Sequence, residues 1–197
     1  MSPKLFKRIA LALAVVAALA YGWAWLTYPS DRTPEGSYLR VMSAVNQADP
    51  HALFPYLETR AQHACFTIGD YRRKAKQRVG KAYPPKKQAA AMVHLEPIAS
   101  SPEGPDVFEL YARENAWLDR LRRDLSRVAH VEINGDRASV QTVKGTRYPF
   151  RRRDTGTWGL TLFTAFLSQE AERAARDYAM IEQAAQDYER ARLLSGP

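Results

Sequence analysis

The chain has 197 residues, 46% of them hydrophobic and 25% charged, a balance that excludes intrinsic disorder. Of its formal net charge of +8, three charges (Lys4, Lys7 and Arg8) fall in an acid-free leading segment. The remaining +5 is mildly basic, short of what a dedicated nucleic-acid binder carries, and the single cysteine, Cys65, excludes an intrachain disulfide.

"MSPKLFKR" is a basic opening, and residues 9–28, "IALALAVVAALAYGWAWLTY", carry no charge. At about 1.5 Å per helical residue this run spans roughly the 30 Å hydrocarbon layer. Tyr21, Trp23, Trp25 and Tyr28 gather at its far end, where amphipathic rings favour the headgroup level. The basic flank places the N-terminus in the cytoplasm and the bulk of the chain outside it. The reading is therefore a single-pass signal anchor over residues 1–30 in the inner (cytoplasmic) membrane of a bacterial envelope, contacting lipid through residues 9–28. Ala18-Leu19-Ala20 offers the alternative of cleavage after Ala20, but the apolar run continues through Leu26. Either way the same portion, beyond Asp31, is extracytoplasmic.

Residues 29–34 form a proline-bearing linker. Tyr38, Leu39, Met42 and Val45 then share a helical face, and Asp49-Pro50 reads as an N-cap with proline at the first helical position. A helix over 60–80 comes next, with Ala64, Ile68, Tyr71 and Ala75 on one side and a break expected at Gly69-Asp70. "YPPKK" and "EPIASSPEGPD" interrupt the chain, with a short helix between them. Residues 106–126 are helical again, with an apolar stripe from Phe108 through Trp117 to Leu125. The period then drops to two. "VAHVEI", "RASVQTV", "RYPFRRR" and "WGLTLFTAF" are four expected strands of an antiparallel meander, the first pair joined by Asn134-Gly135. Trp158, Leu160 and Leu162 fall on one face of the last. Ser168 is the expected N-cap of a final helix over 168–197. Its Ala171, Ala174, Tyr178, Ile181, Ala185 and Tyr188 form a seam suited equally to its own domain or to a protein partner or second copy.

Helices followed by a curled sheet resemble the nuclear transport factor 2-like (SnoaL/ketosteroid-isomerase-like) superfamily over residues 34–166. The resemblance rests on "TPEGSYLRVMSAVNQADPHALFPYL", on "VEINGDRASVQTV" and on "RRRDTGTWGL". It implies an α+β domain, residues 31–167, in which helices cover a cone-shaped antiparallel sheet. It also implies a pocket at the cone's open end, for which Tyr56, Asp70, Tyr71 and Tyr148 are the candidates. The long middle and the terminal helix depart from the family, and no catalytic role carries over.

No phosphate loop, nucleophile elbow or zinc motif is present, so no catalytic residue, metal or cofactor is expected. The densest basic run supplies Arg72, Arg73, Lys74, Lys76, Arg78 and Lys81. With Arg151, Arg152 and Arg153 it is expected to form a basic binding face for an anionic lipid surface, an acidic partner or an envelope polyanion, or else a solvated helix surface. No nucleic-acid partner is expected. The functional expectation is a non-catalytic binding or assembly module tethered outside the cytoplasm. The alternative is a small-molecule binder or enzyme using the cone pocket.

Overall fold

The computed structural model describes residues 30–194 and, before them, Val15 and Val16 alone. The expected anchor at 9–28 and the cleavage alternative at Ala20 thus lie outside the described residues. Among those described, no helix is long and apolar enough to cross a membrane. The chain divides into two units, Met1–Ser30 and Asp31–Pro197. The second unit is α+β, with seven α-helices and one four-stranded antiparallel sheet among the described residues.

Helix α1 (Pro34–Asn46) starts at the last residue of the expected linker. Thr33 caps it, its hydroxyl accepting from Gly36 N at 3.1 Å, and proline takes the first helical position. The buried face is Tyr38, Val41, Ala44 and Val45, so the stripe is turned slightly from the expected one and leaves Leu39 and Met42 partly buried. Asp49 caps α2 (Pro50–Leu53), accepting from Ala52 N at 2.9 Å, and a single 3-10 turn, Phe54–Tyr56, succeeds it.

Helix α3 (Thr59–Ala82) runs unbroken through Gly69-Asp70. The glycine makes room instead of breaking the helix, since a Cβ there would sit 3.4 Å from Val107 on α5 (Gly104–Glu114). Helix α4 (Pro85–Ala99) continues past Pro97, so the second breaker begins later than the sequence implies. The expected helix over 106–126 is two helices, α5 and α6 (Trp117–Asp124), separated where Ala116 adopts φ 49° in the left-handed region.

The strands are β1 (Val128–Asn134), β2 (Arg137–Thr142), β3 (Arg147–Arg152) and β4 (Trp158–Leu160), ordered as in the sequence. Gly135, at φ 62°, makes the Asn134-Gly135 turn. Alternation holds in β2 and β3: Ala138, Val140, Thr142, Tyr148 and Phe150 are buried. In β1 a bulge between Val128 and His130 disturbs it, and Ala129 and His130 are both exposed. The last strand is only three residues long. Leu162 is exposed, and Phe163 takes the buried place. The chain turns there, and α7 (Thr164–Leu194) begins four residues before the expected cap, leaving Ser168 inside the helix. The spacing Phe163, Leu167, Ala174 shows why: helical period already rules from residue 163.

The core between sheet and helices is filled with rings. Tyr38 and Tyr148 lie 5.1 Å apart by centroid, and Phe108 meets Phe54, Trp117 and Phe163 at 5.7–6.0 Å. A smaller cluster of Ala75, Val79 and Leu95 joins α3, α4 and α7. The α7 seam faces these helices: Ala174 and Ala185 are buried, Tyr178 packs on Tyr71 and Tyr188 on Tyr83. Of the two uses open to the seam, packing within its own domain is the one observed.

Tyr148 carries a buried hydroxyl with no hydrogen-bond partner among the described residues, and burial pushes its pKa up. Leaving such a group dry costs about 1–3 kcal/mol. Tyr148→Phe is expected to raise the urea unfolding free energy by about 1 kcal/mol, because the ring packing is retained. A loss of stability would show that the hydroxyl is satisfied.

Candidate functional site

The expected basic run is dispersed by the fold. Arg72 Nη1 lies 2.8 Å from Asp177, and Arg78 reaches Glu182 at 2.9 Å and Glu189 at 2.8 Å, all on α7. Arg73 donates to the Ser101 carbonyl at 3.1 Å, and Lys76 pairs with Glu96 of α4 at 2.6 Å. Lys74 pairs with Asp70 one turn away at 2.7 Å, which leaves Lys81 exposed. Arg72 and Arg78 clasp α7 to α3, and Lys76 clasps α4 to it. They stand along the second half of α3, whereas Arg151 and Arg153 meet its start. Ten residues of helix, about 15 Å, separate Gln62, which Arg153 reaches, from Arg72. The single basic face is therefore two regions.

The clasp has a pH signature. The Arg78 guanidinium, by hydrogen bonding, holds the Glu189 carboxyl below its ordinary value of 4.5. Below that value the unfolded chain takes up a proton that the folded chain resists. The contribution is complete above 4.5 and is lost as the pH falls beneath it. Between about pH 6 and about pH 3, the urea midpoint of the wild type is expected to fall further than that of Glu189→Gln. Equal declines would remove this carboxylate as a contributor.

The four expected pocket residues do not converge. Tyr148 is in the core against Tyr38, Tyr71 packs on Tyr178 of α7, Asp70 is paired with Lys74, and Tyr56 is half-buried in the turn before α3.

The structure forms a groove elsewhere, from residues that no sequence motif singles out. It lies between the β2–β3 hairpin, the chain entering α3 and the first turns of α7. Two open cavities, about 600 and 470 Å³, share Glu58, Arg60 and Arg151. Glu58 is the anchor of this groove. Its backbone N donates to the Leu160 carbonyl at 3.0 Å, which ties the start of α3 to β4. Its side chain, only 9% exposed, accepts from the Thr164 hydroxyl at 2.7 Å and meets Arg151 Nη1 at 3.5 Å. Arg151 is held from the other side by Asp136, at 3.0 Å. Arg153 donates to the Pro55 carbonyl at 2.6 Å and to Gln62 at 3.3 Å.

Arg137 stands directly across from Arg151 in the β2–β3 register. Like charges in that relation repel, and Arg151 escapes by turning to Asp136 and Glu58. Arg137 keeps no such partner among the described residues, nor do Arg60 and Arg152, and all three are exposed. Ser168 Oγ and Arg153 Nε, in the walls of the first and second cavities, are buried without a hydrogen-bond partner. A carboxylate at a helix start reads as exposed from sequence. Only the register of two successive hairpins could have hinted that Arg137 and Arg151 meet.

Elsewhere, His51 Nε2 lies 3.0 Å from Glu109 and 3.6 Å from Asp106. The other carboxylate oxygens are already engaged, Asp106 by Glu103 N and Glu109 by Arg113. This cluster is accounted for as hydrogen bonding between α2 and α5.

Fold and groove together define a class: an α+β domain with a filled interior and an open, arginine-bearing groove. No protein-family model, no curated protein and no solved structure matches the chain.

Proposed function

We propose that this chain is a membrane-anchored, extracytoplasmic binding or assembly module of a bacterial envelope, without catalytic activity of its own. Residues 9–28 tether it to the inner membrane, and the α+β unit is a cone-shaped relative of the nuclear transport factor 2-like fold. Helices first and a four-stranded meander second support that kinship. The observation that carries the functional reading is the filled interior. Tyr38, Phe108, Trp117, Tyr148 and Phe163 occupy the room that a substrate would need. The two largest cavities described, about 600 and 470 Å³, open instead at the surface, in a groove suited to recognition.

Two measurements test this. Cys65 is fully buried, and burial pushes its thiol up to about 12, so the native chain is silent toward impermeant maleimides. Thr155→Cys, in the exposed β3–β4 turn, is expected to label from outside intact spheroplasts. Labelling only after lysis would overturn the topology. Mild detergent extraction is expected to recover the chain with stoichiometric protein companions. Recovery as a lone monomer would overturn the assembly role.

A further inference from the structure

We infer that the groove around Glu58 and Arg151 receives an extended acidic peptide segment of a protein partner. This rests on the binding-module reading and names the chemistry of its contact. Three guanidiniums, Arg60, Arg137 and Arg152, border the groove with no side-chain partner among the described residues. A guanidinium fork matches a carboxylate in bidentate geometry, and such charge-assisted bonds are the stronger kind. Arg151 is different. Asp136 and Glu58 already pair with it, so its charge is met, whereas the three cations around it keep theirs available. Three guanidiniums along one recess, unpartnered among the described residues, are an unmet demand for acceptor oxygens.

The form of the recess selects among anions. Its two cavities are open and share Glu58, Arg60 and Arg151 as neighbours, which suits a strand-like segment and gives a small anion no enclosure. Ala138, Pro149, Phe150 and Ala165 line the first cavity beside the arginines, so apolar side chains alternating with acidic ones find places there. A lipid surface is disfavoured. The cations lie within a recess bordered by Asp154 and Glu172, and headgroups presented in a plane would meet those carboxylates too. The other basic region is spent on internal clasps.

The test uses the full-length protein in neutral-lipid nanodiscs. The probe is a fluorescent peptide alternating glutamate with leucine, and its glutamine counterpart is the control. The acidic peptide is expected to bind, more weakly as salt rises, and the control is not. The triple variant Arg60→Gln, Arg137→Gln, Arg152→Gln is expected to lose about tenfold or more in affinity. Its melting temperature stays unchanged, since none of the three side chains holds the fold. Equal binding by wild type and triple variant, or no binding by either, overturns the inference. Arginine-dependent binding of inorganic phosphate or of phosphatidylglycerol vesicles at comparable strength overturns the peptide as occupant. Co-purification separates the two proposals. A triple variant that loses the peptide but keeps its companions, bound with undiminished affinity, overturns the groove as their contact and leaves the module reading intact. Peptide binding by a chain that extracts alone does the reverse.

Discussion

Gly159→Ala is expected to destabilise the protein by about 3 kcal/mol, and Gly159→Val by more, at the upper end of overpacking effects. Gly159 is the middle residue of β4, opposite Arg151 on β3. A Cβ there would lie 2.7 Å from both Cα and N of Glu58 and 2.8 Å from the Leu57 carbonyl oxygen. These are backbone atoms and cannot rotate aside. Relief requires the start of α3 to withdraw from β4, which breaks the Glu58 N to Leu160 O bond and the Leu57–Leu160 bridge. The same movement displaces the Glu58 carboxylate that positions Arg151. Urea unfolding should show the lost stability, and peptide affinity should fall with it. A Gly159→Ala protein as stable as the wild type would show that this contact is slack.

Trp117→Ala is expected to cost about 3–5 kcal/mol, the range for truncating a buried indole. Trp117 is 8% exposed and stacks on Phe163 with centroids 4.4 Å apart and planes 24° from parallel. It also meets Phe108 at 5.7 Å and Phe166 at 5.3 Å. One side chain thus joins α5, α6 and the chain entering α7. Whole-domain stabilities are about 5–15 kcal/mol, so the loss is a large fraction of the total. Trp117→Phe, which keeps a ring in place, should cost markedly less. A loss under about 1 kcal/mol for the alanine variant would mean that the neighbouring rings close the gap. Because the groove shares the first turns of α7 with this cluster, peptide affinity should fall along with stability, as in the Gly159 variants.

The local grammar of the chain is readable. Asp49-Pro50 starts a helix because a side-chain acceptor and a missing N–H meet the needs of a first turn. Asn134-Gly135 and the alternation in "RASVQTV" give the first hairpin. Each of these signals acts within four residues, where sequence spacing and spatial neighbourhood coincide. The failures share a different cause. Gly69 reads as a break and is a close approach to Val107; Leu162 reads as a third inward strand position, and the chain has already turned. The basic run reads as one exposed face, yet Arg78 finds its acids 104 and 111 residues later.

The sequence by itself determined the helices-then-meander order, most turns and caps, and the presence of an uncharged run of membrane length. The tertiary structure alone decided which charges are spent inside the molecule and which stay free. It buried Glu58, set Arg137 opposite Arg151, turned the α7 seam inward and filled the interior with rings. Charge and hydropathy are properties of single residues, whereas pairing and burial depend on which distant segments the packed core brings together.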